Sequence, residues 1–161
     1  MTERSTEHAT FVVERTYDAA PARVFAAWAE PAAKQRWFSG PDGWEQFEYK
    51  LDFRIGGREI SRVGTTGEPT YTYDAYYHDI VPQQRIVYAF TMDRDETRIS
   101  VSVATVEFEP LGMGTRLIVT EQDVFLDGHD KVEYREHGTR ELLNGLDAAL
   151  RDAPVTTTAP A

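Results

Sequence analysis

The chain has 161 residues, no Cys and a net charge of −10, from 27 acidic against 17 basic residues. That length fits one domain able to bury roughly 68–70 % of its unfolded surface without a metal or a disulfide, and the lack of Cys excludes thiol catalysis and thiolate metal sites and fits a reducing cytoplasm. The acidic surface argues against nucleic acid and anionic lipid; no apolar run approaches the ~18 residues of a membrane span, and the polar start MTERSTEHAT has no signal-peptide core.

Residues 1–9 read as a disordered N-terminus, and 153–161 (APVTTTAPA) as a disordered tail. TFVVERTY (10–17) is a strand. Pro21 opens a helix in which Val24, Phe25 and Trp28 share a face. Pro31 ends it and starts a second short helix, PAAKQRWF, before the loop SGPDGW (39–44). Trp37, Phe38 and Trp44 flank that loop. Packing is the simpler role for them, a ligand lid the other.

From 45 onward the period becomes two. Phe47, Tyr49, Leu51 and Phe53 alternate with charges along one strand, and Gly56-Gly57 turns it back. TYTYDAYYHDIV (70–81), RIVYAFTM (85–92), RISVSVATVEFEP (98–110) and TRLIVTEQDVF (115–125) are further antiparallel strands. In the first of these Tyr71, Tyr73, Ala75 and Tyr77 share the better inward face. The last segment is helical, with Val132, Arg135, Thr139, Leu142, Leu143, Leu146 and Leu150 on one stripe. One helix cannot fill the concave side of a long curved sheet, so this order predicts a helix gripped by a sheet with a cavity between them.

Several stretches in the right order resemble the START-like, helix-grip superfamily, also called SRPBCC. They are APARVFAAWAEPAAKQRWF, DFRIGG, YHDIVPQQRIVYAF, GTRLIVTEQ and HGTRELLNGLDAAL. Within it the chain is similar to the polyketide cyclase-like branch related to the C-terminal domain of the activator of heat-shock protein ninety ATPase. The resemblance implies an α+β, Bet v-like fold over 10–152: about seven antiparallel strands curved around a long C-terminal helix, with two short helices after the first strand. Relatives often carry Trp where Thr139 stands and an apolar residue where Glu59 stands. A missing Trp implies a larger cavity.

Alternation alone leaves two registers open for the strand at 58–63. One turns Ile60 inward and leaves Glu59 in water; the other, which the family pattern favours, turns Glu59 and Ser61 in. A buried Glu59 then pairs with a Tyr hydroxyl or an Arg, with Arg135 the candidate, or holds its proton and can act as a general acid or base. The candidate ligand-binding set is Trp37, Phe47, Tyr49, Glu59, Ser61, Tyr71, Tyr73, Tyr77, Tyr88, Phe90, Arg135 and Thr139. Glu59 is also the candidate catalytic residue if the protein is an enzyme. His8, His78, His129 and His137 lack metal-ligand spacing, and no glycine pair leads into a helix to cradle phosphate. No metal or cofactor is expected.

Three functions remain open: a carrier of a small apolar or aromatic molecule, a cyclase, dehydratase or hydrolase on the same fold, and a co-chaperone-like interaction module. The family resemblance is the only basis for a chaperone client as partner. A homodimer through an exposed sheet edge is a further expectation.

Overall fold

The computed structural model describes residues 3–152. Seven antiparallel strands form one open sheet in the order β1-β7-β6-β5-β4-β3-β2. They are β1 (Thr6–Tyr17), β2 (Glu45–Leu51), β3 (Arg58–Gly64), β4 (Thr70–Val81), β5 (Arg85–Arg94), β6 (Thr97–Leu111) and β7 (Gly114–Leu126). Between β1 and β2 lie α1 (Pro21–Ala29) and α2 (Pro31–Gln35), each opened by a proline; α3 (Val132–Asp152) closes the chain. The first and second strands in sequence are therefore the two edges of the sheet. The α1–α2 segment must cross its whole width to join them.

The expected α+β helix-grip architecture is the one observed. The N-terminus needs a correction: residues 6–9, expected to be disordered, extend β1 because β7 runs on to Leu126 and supplies their partners, His8 opposite Val124 among them. The expected tail at 153–161 lies outside the described residues. The short second helix ends at Gln35, not Phe38.

Bulges give the sheet its curvature. Register shifts occur at Phe47 in β2, His78 in β4 and Ile99 in β6, and an extra residue in one strand bends it and raises its twist. The bend in β4 is held by the β2–β3 loop. Gly56, at φ +84, donates its N–H to the Tyr77 carbonyl at 2.8 Å, and the Tyr77 N–H donates to the Gly57 carbonyl at 3.1 Å.

The filled core lies under the C-terminal half of α3. Leu143, Leu146 and Leu150 meet Val13, Val24, Trp28, Phe108 and Leu117 there. Polar ties fasten the layers: the Tyr17 hydroxyl donates to the Leu143 carbonyl at 3.0 Å, Trp37 Nε1 to the Ala27 carbonyl at 3.0 Å, and Thr115 Oγ1 to the Ala19 carbonyl at 2.6 Å. Burial pushes the Tyr17 phenol well above its ordinary pKa, so it stays a donor.

The start of β7 sits against the end of β1 with no room to spare. A Cβ on Gly114 would overlap the Tyr17 carbonyl oxygen, which is backbone and cannot swing aside. Gly114→Ala is therefore expected to destabilise the protein by about 1–3 kcal/mol, the usual cost of overpacking, with equilibrium urea unfolding as the measurement.

Candidate functional site

Two groups of buried charges occupy the concave side of the sheet. The first joins α2 to β3. Lys34 and Glu59 are both fully buried, and Lys34 Nζ donates to Glu59 Oε1 at 2.8 Å. The carboxylate also accepts from the Tyr49 hydroxyl at 2.6 Å and the Tyr77 hydroxyl at 3.1 Å. Around the ammonium stand the rings of Phe38, Trp28, Trp37 and Tyr88, at 4.3, 5.1, 5.7 and 5.9 Å from their centroids. Ring faces thus take the place of water on the sides of the ammonium not used by Glu59. Burial pulls the Lys34 pKa below its ordinary value while Glu59 opposes that shift. Burial, with the Glu59 charge next, pushes the Tyr49 and Tyr77 phenols far up, so both remain donors.

The second group joins α3 to β6 and β7. Arg135 turns in from the first half of α3, and its side chain is only 9 % exposed. Nη1 reaches Ser102 Oγ at 3.2 Å, Asp123 Oδ1 at 3.2 Å and Glu121 Oε2 at 3.3 Å. Nη2 reaches Ser100 Oγ at 2.5 Å and Asp130 Oδ2 at 3.3 Å. Ser102 also donates to Asp123 Oδ1 at 2.5 Å. The guanidinium carbon lies 5.4 Å from the Phe125 ring centroid and 5.6 Å from that of Phe90. Three carboxyls face one cation. Burial raises the Glu121 pKa well above the ordinary carboxylate value; Arg135 opposes this and the neighbouring Asp123 adds to it.

A pocket of about 820 Å³, partly open to solvent, lies between these groups. Its inner wall carries Trp28, Trp37, Phe38, Tyr73, Tyr88 and Phe90; Ser61, Met92, Ile99 and Val119 complete the floor, and Glu121 and Arg135 close the polar end. The loop at 36–44 and the α3 residues His137, Gly138, Thr139 and Leu142 form the mouth, where Trp44 stacks on Tyr71 at 5.5 Å. The hydroxyl of Tyr73 and the indole N–H of Trp28 are buried without a hydrogen-bond partner among the described residues.

Residues 18–151 match the family model described as activator of Hsp90 ATPase homolog 1-like protein. The chain belongs to that family. Within the same helix-grip superfamily, the solved structure of an uncharacterised protein from Rhizobium leguminosarum is 48 % identical, with a TM-score of 0.89 over 93 % of this chain and 99 % of that one. The Mll3558 protein of Rhizobium loti is 47 % identical, with a TM-score of 0.84 over 90 % and 99 % of the two chains. CV1439 of Chromobacterium violaceum, at 24 % identity and a TM-score of 0.73 over 86 % and 94 %, shares the fold. No curated protein matches the chain. Among the described residues no helix is long and apolar enough to cross a membrane.

The sequence-derived set divides. Trp37, Ser61, Tyr71, Tyr73, Tyr88, Phe90, Arg135 and Thr139 line the pocket. Glu59, Tyr49 and Tyr77 do not; they form the closed group around Lys34, and both Glu59 oxygens are taken. The expected Glu59–Arg135 pair does not form, because Arg135 has its own carboxylates on β7 and Glu59 has Lys34. Phe47 is 44 % exposed and stands away from the pocket. The bulge there shifts the phase of β2, so Gln46 turns in and donates to Ser61 Oγ at 3.2 Å.

Sequence reasoning missed Lys34, Glu121 and Asp123. The last two had a signal: alternation places them on the face of Leu117 and Val119.

Two outcomes follow from these charges. Lys34→Met or Glu59→Gln alone leaves one buried ion uncompensated and is expected to cost about 3–5 kcal/mol. In the double variant the loss falls well short of the sum, read as a coupling energy from urea unfolding. For Glu121 the folded pKa is raised, so its contribution is fully present below the unfolded value of about 4.3 and is lost as pH rises through the folded one. Glu121→Gln, a mimic of the protonated acid, is therefore expected to gain thermal stability relative to the parent chain as pH rises from about 4, measured by melting temperature across a pH series.

Proposed function

We propose that this protein binds a small molecule with an apolar or aromatic body in the pocket between α3 and the sheet. The observation that carries this reading is the volume of about 820 Å³ walled by aromatic rings with a few polar groups at one end. Ligand sites typically occupy about 300–1,000 Å³ and have that division of labour. The activator-like family and its helix-grip fold support the same reading but name no ligand, since one fold hosts many functions. Glu59 offers no support for acid–base chemistry, because a lysine and two phenols already engage it away from the pocket wall.

Thr139 supplies the test. It is half-buried on the α3 face that looks into the pocket, and a tryptophan there would fill much of the space without disturbing a partnered group. The uncharged dye Nile red is expected to brighten and saturate on titration into the parent protein, and to lose most of that response with Thr139→Trp, while circular dichroism and melting temperature stay close to the parent's. An equal response from both proteins would place the dye elsewhere and remove the reading's support.

A further inference from the structure

The polar end of the pocket is acceptor-rich, and this bears on the ligand's charge. Arg135 has the look of an anion receptor, but its two terminal nitrogens already serve five oxygens from Ser100, Ser102, Glu121, Asp123 and Asp130. Lys34, behind the aromatic wall, is neutralised by Glu59 at 2.8 Å. At the mouth the exposed Arg36 is outnumbered by Asp42 and Glu141. A carboxylate or phosphate entering the pocket would meet no free guanidinium fork and a surplus of acid.

The unmet groups point the other way. Glu121 is 5 % exposed, lines the pocket and uses only Oε2 toward Arg135. Asp123 Oδ2, buried beside it, has no hydrogen-bond partner among the described residues. Tyr73 is 7 % exposed, and its hydroxyl has no well-formed hydrogen bond among the described residues. Glu121, Tyr73 and Tyr88 all line the same pocket. A donor-rich, positively charged group would be held by the Glu121 carboxylate and the phenol oxygens together.

Resting on the small-molecule reading, we propose that the pocket selects a ligand whose apolar or aromatic body carries a protonated amine, seated between Glu121 and the Tyr73 hydroxyl, and rejects the matching carboxylic acid. The ammonium is the second cation that the Glu121–Asp123 pair lacks, since Arg135 alone faces both carboxyls. The flat rings of Trp37, Phe38 and Tyr88 then receive the body of the ligand. The free N–H of Trp28 suits an uncharged acceptor on that body, such as a carbonyl or ether oxygen.

Three probes with one skeleton separate the possibilities: naphthylethylamine, naphthylethanol and naphthaleneacetic acid, titrated by calorimetry into the full chain at neutral pH. The amine is expected to bind at least about tenfold more tightly than the acid, the effect of one charge-assisted hydrogen bond, with the alcohol between them. Glu121→Gln is expected to abolish the difference, and Tyr73→Phe, which removes only an unpartnered hydroxyl, to reduce it. If the alcohol binds but the acid equals or exceeds the amine, the charge selection is overturned and the small-molecule reading stands. If the preference survives both substitutions, the seat at Glu121 and Tyr73 is overturned. If none of the three binds, both proposals fail.

Discussion

An open sheet with its first two strands at opposite edges has to be closed by something that crosses it, and the Lys34–Glu59 pair is the fastening at the far side. The α1–α2 segment leaves β1, passes over the sheet and reaches β2 and β3 through a helix of only five residues. So short a helix brings little apolar surface with it. A fully buried ion pair at 2.8 Å, completed by two phenols and four ring faces, anchors it instead. Taking both charges from water is costly, so the pair adds little net stability over an apolar replacement. Its contribution is position. Trp37 and Phe38 come three and four residues after Lys34, about one helical turn on, so fixing the lysine fixes the two rings that wall the pocket.

The two charge groups differ in completeness, and that difference separates structure from binding surface. Around Glu59, one cation, one anion and two hydroxyl donors account for both carboxylate oxygens and leave nothing facing the pocket. Around Arg135, three carboxyls share one guanidinium, and two of them, Glu121 and Asp130, line the pocket. A row of rings runs from one group toward the other: Tyr77 to Tyr88 at 5.7 Å, Tyr88 to Phe90 at 5.9 Å, and Phe90 to Tyr73 at 5.0 Å. The hydroxyl of Tyr77, at the closed end, is satisfied by Glu59; that of Tyr73, beside the pocket, is not. Unsatisfied polarity inside a protein costs free energy, and it concentrates here where a ligand could relieve it.

The fold was legible because most strands carry a period of two and the first two helices each start with a proline. The odd-numbered face of β4 turns inward as the alternation indicated, with Tyr73, Ala75 and Tyr77 buried. Alternation failed where the backbone inserts an extra residue. The bulge at Phe47 puts an aromatic ring in water and Gln46 inside, and nothing in EQFEYK marks the shift. Lys34 was illegible for a different reason: a lone lysine on a short helix ordinarily reaches solvent, and its burial depends on rings from α1 and β5 and a carboxylate from β3, all brought together only by the fold. Glu121 and Asp123 were readable in principle. TRLIVTEQDVF places Thr115, Leu117, Val119, Glu121, Asp123 and Phe125 on one face, and the acids lie inside because that face is inside. β6 repeats the inversion, turning Ser100 and Ser102 to Arg135 while Val101 and Val103 face out.

Helix α3 explains why the space remains open. Its second half is a leucine stripe that fills the core, whereas the turn facing the pocket reads His137, Gly138 and Thr139, and Gly145 faces the pocket one heptad beyond Gly138. A glycine inside a helix costs about 1 kcal/mol relative to alanine. Gly145 lies in ordinary contact range of Trp37, but a Cβ on Gly138 would meet nothing within 4 Å. No neighbouring atom of the protein requires Gly138 to be small. The helix therefore carries a local destabilisation beside a void that an ordinary side chain could have narrowed, in the same pocket that Glu121 and Tyr73 line. Missing bulk and missing hydrogen-bond partners around one pocket have a common physical account if the remaining atoms belong to a ligand.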